Sequence, residues 1–322
     1  GFSQNLAKFK IGFAVIVHNS DLFDQDDRLP GISDTAAAPN ELRRRFFLQD
    51  TTYLAGPAIS RELFKNFSVG FSFLGFARLY KAIDNQFMIY NPVPTGGYYI
   101  QNTYITQFLA GVYPKGGVQV MPLPKWSLGL TVSRMLTLRG RWKIKQLRTV
   151  IDESTDAPVV SNGQYNHDLV SSEVASDYAQ TPDPLSISLG NEYFFSKRFL
   201  LSADLDYHIA FPTFTAYSMS NTFNWSLGGE WYATDSIPLR FGVYSNNANT
   251  VEVSSASTDQ NPHVNLIGVS AAVSFLQPGS SFTLGGTFST GSGNAQIISG
   301  RTTIQTLVQQ NITAYITGSY QL

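Results

Sequence analysis

Phe67-Ser-Val-Gly-Phe-Ser-Phe-Leu-Gly-Phe-Ala-Arg-Leu-Tyr80 decides the fold through its period. Odd positions carry Phe67, Val69, Phe71, Phe73, Gly75, Ala77 and Leu79, while even positions carry Ser68, Gly70, Ser72, Leu74, Phe76, Arg78 and Tyr80. Successive side chains on a strand point to opposite faces, so this stretch is a β-strand with one continuously apolar, uncharged face. The same alternation returns from Trp126 to Val132, Phe199 to Tyr207, Phe223 to Trp231, Leu239 to Val243 and Phe282 to Phe288. The faces opposite these apolar rows carry Glu192, Asp204, Asp206, His208, Glu230 and Arg240.

A soluble sheet would turn its polar face to bulk water and load it with Lys and Glu. Here charged residues are only 14% of the chain, against roughly 25% in soluble domains. No run of 18 apolar residues occurs, which excludes transmembrane helices. Alternating strands that face lipid outside and a polar lumen inside satisfy both facts. Trp126, Trp142, Trp225, Trp231, Tyr193 and Tyr207 sit near segment ends, where an interfacial aromatic girdle would stand. The net charge of −1 gives no signal for nucleic acid, and the absence of Cys excludes disulfides and thiolate chemistry. No signal segment stands at Gly1, which fits a processed chain.

Connections are expected to alternate in length. Short turns are read at Arg61 to Asn66, Pro114 to Lys125, Ser196 to Arg198, Ala233 to Pro238 and Leu276 to Ser281. Long loops are read at Asn19 to Leu42, Ile83 to Gly97, Val150 to Asp183, Pro212 to Ser220, Asn246 to Pro262 and Thr290 to Arg301. That layout predicts one all-β domain over residues 1–322, an antiparallel up-and-down transmembrane barrel of about 12 to 14 strands. The upper count applies if Val150 to Asp183 hides a hairpin. The chain closes on Ile312, Ala314, Ile316, Gly318, Tyr320 and Leu322, an alternating apolar face resembling the C-terminal assembly signal of bacterial outer-membrane proteins.

The hairpins Leu189 to Phe199 and Leu227 to Gly242, with Asn66 to Phe71, resemble the strand-turn-strand phrases of the FadL family of long-chain fatty acid transporters. The resemblance implies passive uptake of hydrophobic molecules through a barrel plugged by an N-terminal hatch, with a sideways exit through the wall. Only about ten residues precede the first strand and the family's Asn-Pro-Ala motif is missing, so the hatch is expected to be absent or very short. Gly56-Pro57 is the candidate wall break, because Pro57 cannot donate a ladder hydrogen bond and Gly56 permits a bend. A bulge near the rim is the plainer reading of the same pair.

Asp204, Asp206 and His208 fall at i, i+2 and i+4 and so share the inward face. A carboxylate orienting His208 as general base would make a surface hydrolase similar to the omptin proteases. A lumen-facing polar ladder balanced by Arg78 and Arg240 accounts for the same residues. Beyond Val132 the alternation continues through Leu136, Leu138, Gly140, Trp142 and Ile144, with Arg139, Arg141, Lys143 and Lys145 opposite. This run is more than twice the ~10 residues that cross a bilayer, so it is expected to project outside. Arg134, Arg139, Arg141 and the run Arg43, Arg44, Arg45 are candidates for contact with lipopolysaccharide. No metal or cofactor is expected, since the four His stand on separate segments and no Gly-rich phosphate loop opens a helix.

The chain is therefore read as a non-enzymatic outer-membrane channel for hydrophobic or amphipathic small molecules such as fatty acids, in contact with outer-membrane lipid and lipopolysaccharide. A barrel docking another envelope protein through its loops, and the surface hydrolase, remain as alternatives.

Overall fold

The computed structural model describes residues 2–6, 8–30, 41–90, 97–152, 157–158, 160–161, 164–165, 167–176, 184–211, 219–257, 260–297 and 302–320. The first strands are β1 Phe2–Leu6, β2 Phe9–Pro30, β3 Glu41–Phe64, β4 Phe67–Tyr90, β5 Gly97–Leu123, β6 Trp126–Arg134 and β7 Leu136–Asp152. Four short pieces follow: β8 Ala157–Pro158, β9 Val160–Ser161, β10 Gln164–Tyr165 and β11 His167–Ser176. The remainder are β12 Leu185–Phe194, β13 Phe199–Ile209, β14 Thr222–Thr234, β15 Ile237–Asn246, β16 His263–Val264, β17 Leu266–Gln277, β18 Ser280–Ala295 and β19 Gln305–Tyr320. All ladders among the described residues are antiparallel, and no described helix is long and apolar enough to cross a membrane.

The pairings resolve into twelve up-and-down tracks among the described residues: β2, β3, β4, β5, β6 with β7, β12 with β11, β13, β14, β15, β17 with β16, β18 and β19. β1 adds a short strand against the start of β2, and β9 with β10 forms a separate small hairpin. The expected count of twelve arises because β11 and β12 lie end to end along β7 and β6, so the Val150 to Asp183 region extends a track.

The sheet curls strongly. His18 of β2 and Tyr113 of β5 stand three ladder steps apart, about 14 Å on a flat sheet, yet their rings lie 6.1 Å apart. The enclosed face buries Leu54, Leu74, Phe76 and Leu109, whereas Phe71, Phe73 and Leu79 on the opposite face of β4 are exposed. Burial thus inverts the soluble pattern, with the large exposed apolar side chains pointing outward.

Turns at the end where β2 begins are tight: Lys65–Asn66, Pro124–Lys125, Asp235–Ser236 and Pro278–Gly279. Asn66 (φ 67°) and Gly279 (φ 78°) adopt the left-handed backbone that such hairpins favour. Several expected connections are strand instead. The loop read over Asn19 to Leu42 is a raised hairpin, with β2 running to Pro30 and β3 starting at Glu41. Charge on both faces, from Asp21 to Asp27 and from Arg43 to Arg45, erases the alternation that marks the lower strands. Pro114 to Lys125 is strand through Leu123, Arg61 to Asn66 is strand through Phe64, and β4 and β18 reach Tyr90 and Ala295. Most of Pro212 to Ser220, and Leu322, lie outside the described residues.

Candidate functional site

The inner face is built in storeys. Near the tight turns it carries small residues, among them Gly12, Ala58, Ser72, Gly117, Gly129 and Gly190, because larger ones would fill the interior. They leave a chamber of about 890 Å³, bordered by Lys10, Glu62, Lys115, Glu192 and Asp204.

Above the chamber the inner face turns apolar. Leu54 from β3, Leu74 and Phe76 from β4 and Leu109 from β5 are each buried, and Tyr113 and Met135 pack against them. The Phe76 ring reaches across β5 because position 111 is glycine: a Cβ there would stand 2.7 Å from the ring and 2.1 Å from the Leu136 carbonyl oxygen. Tyr113 exchanges a 3.1 Å hydrogen bond with Ser133, anchoring its hydroxyl. Sequence reading placed Leu74 and Phe76 inside but did not single out this cluster. Their apolar character on an otherwise polar face was the available signal.

Beyond the cluster come ion pairs. The Arg78 Nε donates to Asp50 at 2.8 Å, and its Nη2 completes a two-point contact with the same carboxylate. Arg44 holds Asp84 in the same manner, both bonds 2.9 Å. On the other wall, at the tight-turn end, Glu230 accepts from Arg240, which also donates to Ser274, itself bonded to Thr283. This ladder crosses four strands.

Asp204, Asp206, His208 and Glu192 share the inner face, as register partners of Gly190, Ser188, Ser186 and Ser127. Asp204 accepts a 3.1 Å bond from Ser226. The His208 Nδ1 lies 2.8 Å from the Ser186 hydroxyl, so a serine on the neighbouring strand meets the imidazole. Among the described residues no cluster of three metal-ligating side chains occurs.

Gly56-Pro57 coincides with an interruption in the β3–β4 ladder. Pairing runs to Ala55 with Gly75 and resumes at Ala58 with Ser72, without a change of register. The plainer expectation, a bulge near the rim, is therefore corrected: the irregularity on β3 falls between Glu62 and Phe64. The strands stay close at the gap, since a Cβ on Gly56 would lie 2.3 Å from the Phe73 carbonyl oxygen.

A second correction concerns β7. Gly111 pairs with Thr137 but Ala110 pairs with Arg139, so one extra residue, Leu138, is inserted. The bulge inverts every later side chain. Gly140, Trp142 and Ile144 share the inner face with Leu109, while Arg139, Arg141, Lys143 and Lys145 share the outer face with Ala110, Phe108, Thr106 and Tyr104. Trp142 therefore does not join an outer girdle. Arg134 lies on the outer face as register partner of Leu185, its guanidinium 4.0 Å from the Phe211 ring centroid. The arginine run belongs to β3, not to a loop end, and each member faces a carboxylate: Arg43 with Glu41, Arg44 with Asp84 and Arg45 with Asp24.

No protein-family model matches the chain, and no curated protein matches it. Among solved structures it is similar to a Pseudomonas aeruginosa FadL homologue, with TM-score 0.56 and 13% identity over 98% of this chain and 76% of that one. It is also similar to the Pseudomonas putida toluene transporter TodX, with TM-score 0.58 and 12% identity over 99% and 81%. The CymD monoaromatic hydrocarbon channel gives TM-score 0.54 and 11% identity over 99% and 81%. Likeness along nearly the whole chain at such low identity fixes the architecture: an all-β, antiparallel, up-and-down barrel.

Proposed function

We propose that this chain is an outer-membrane barrel that passes hydrophobic or amphipathic small molecules, fatty acids or monoaromatic hydrocarbons among them, down their gradient. The observation that carries the reading is the buried apolar cluster Leu54, Leu74, Phe76 and Leu109 across an inner face that is otherwise polar. A water-filled pore for ions needs a continuous polar wall, whereas a patch of Leu and Phe on one side of the lumen disfavours a hydrated ion and favours an apolar solute by burial. The fold shared with a toluene transporter and a hydrocarbon channel points the same way.

The outer face supports a membrane placement. From Phe67 to Leu79 it carries no charge, and twelve residue steps at ~3.3 Å, tilted by ~40°, rise about 30 Å, close to the apolar band of such barrels. We assign a sideways exit to Gly56-Pro57, beside the cluster: two ladder rungs are absent there, although the strands stay close, so that opening would require them to part. Asp204, Asp206, His208, Glu192, Glu230 and Arg240 act as polar lining, and the protein is not an enzyme.

The test is paired transport and conductance on barrel reconstituted in liposomes and planar bilayers. Toluene or fatty acid entry with little ion current supports the reading. Phe76→Ala is expected to raise ion current several-fold. Equal apolar uptake by protein-free liposomes, or a large ion current in the unmodified barrel, overturns it. For the exit, Pro57→Thr is the clean variant, since any side chain at Gly56 strikes the Phe73 backbone. Restored pairing should slow uptake, and unchanged uptake removes the exit from this position.

A further inference from the structure

We infer that the outer face of β3, β4, β5 and β7, just above the apolar band, is a binding site for an acylated, phosphorylated glycolipid of the outer leaflet. The inference rests on the membrane-spanning reading above.

Two register rows cross these strands side by side. One joins Gln49, Lys81, Thr106 and Lys143, and the other joins Thr51, Leu79, Phe108 and Arg141. Between them lies a groove of about 540 Å³ lined by Lys81, Thr106, Phe108, Leu79, Arg141 and Lys143. The bulge at Leu138 creates it, for without the extra residue Arg139, Arg141, Lys143 and Lys145 would all point inward.

Height and chemistry agree with one occupant. Lys81 is the first outward charge on β4 after the uncharged stretch from Phe67 to Leu79. The groove therefore straddles the level where hydrocarbon gives way to headgroups. Its floor is apolar, with Leu79 49% and Phe108 39% exposed, and Leu138 beside it 60% exposed. Lys81 and Lys143 stand in its upper row, and Arg141 ends its lower row on β7. Acyl chains would cover Leu79, Phe108 and Leu138, while phosphate groups would meet Lys81, Arg141 and Lys143, with Arg139 and Lys145 at the flanks.

Lys143 and Arg141 already engage neighbours, and the register sets Glu173 of β11 opposite Lys143. Among the described side chains Lys81, Arg139, Arg141, Lys143 and Lys145 are five outward cations gathered around the groove, which makes the patch basic. Simple snorkelling of long side chains accounts for one or two cations at such a boundary, but not for five gathered around one groove with an apolar floor.

The experiment uses detergent-purified full-length barrel, native mass spectrometry and added bis-phosphorylated lipid A. The comparison probes are the dephosphorylated lipid and inorganic phosphate. Unmodified protein should retain one phosphorylated lipid, and Lys81→Gln, Arg141→Gln and Lys143→Gln should each weaken retention about five-fold, with the triple variant binding over a hundred-fold less. Lys125→Gln with Lys197→Gln, at the tight-turn end, should leave retention unchanged. The proposal is overturned by equal binding in the triple variant, by equal binding of the dephosphorylated lipid, or by displacement with millimolar phosphate. Heat-modifiable mobility of membrane-extracted triple variant separates the two readings. Protein that inserts and folds without binding the lipid sinks this site alone, and protein absent from the membrane even in unmodified form sinks the membrane reading.

Discussion

Asp50 is 7% exposed and its carboxylate is met by both the Nε and Nη2 of Arg78. A buried carboxylate left without its partner is far costlier than a pair that was never formed. Arg78→Ala is therefore expected to destabilise the folded barrel by about 3 to 5 kcal/mol. Asp50→Asn combined with Arg78→Met should recover most of that loss. Urea unfolding in detergent checks both, and equal stability of the single and double variants would show that the pair carries no such weight. The inward placement of Arg78 is readable from alternation alone, because Phe67 to Tyr80 contains no irregularity. Its partner is not readable: Asp50 lies 28 positions away, and only the β3–β4 register, with Asp50 opposite Tyr80, brings them together. At Arg139 the limit is sharper, since one inserted residue, Leu138, reverses the face of every cation that follows.

The raised β2–β3 hairpin illustrates what periodicity conceals at the level of an element. Strands crossing lipid must sort apolar from polar residues, so their pattern survives in sequence, whereas strands standing in water on both faces need no sorting and read as loops. Hence β2 beyond Asn19 was legible only as polar chain. Its tip is held by Glu41, which accepts from the Arg28 Nη2 at 3.0 Å and from the Arg43 Nε at 2.6 Å. These bonds, that from Arg28 first and that from Arg43 next, hold the Glu41 carboxyl below the usual carboxylate range. A carboxyl lowered on folding contributes stability that is fully present above its unfolded value and lost as pH falls through the folded one. Amide exchange near Leu29 and Leu42 is thus expected to quicken as pH drops below the ordinary Glu range, after correction for the intrinsic pH dependence of exchange. Glu41→Gln should show the quick rate already at neutral pH, and a pH-independent corrected rate in the unmodified protein would exclude the clamp.

For the whole molecule, twelve tracks place their outward rows in one belt and their inward rows around one interior, so the two faces should tolerate charge very differently. Phe71 is 50% exposed and Phe241 51% exposed. Both stand within the uncharged outer band, Phe241 opposite Gly229 and Phe71 opposite Ile59. An arginine there must sit in hydrocarbon or drag water to it. Ser226 stands three positions after Phe223 on β14 but faces inward, donating to Asp204. An arginine at that position gains a carboxylate and reaches the polar interior. Phe71→Arg and Phe241→Arg are therefore expected to lower folding stability in bilayers by about 2 to 4 kcal/mol each, with the larger loss nearer the midplane. Ser226→Arg should fold almost normally. Refolding yield into lipid vesicles, read by heat-modifiable mobility across a urea series, measures all three. Equal tolerance at the outward and inward positions would mean that the exposed apolar belt does not face lipid, and the barrel would then have to be read as a soluble or protein-covered one.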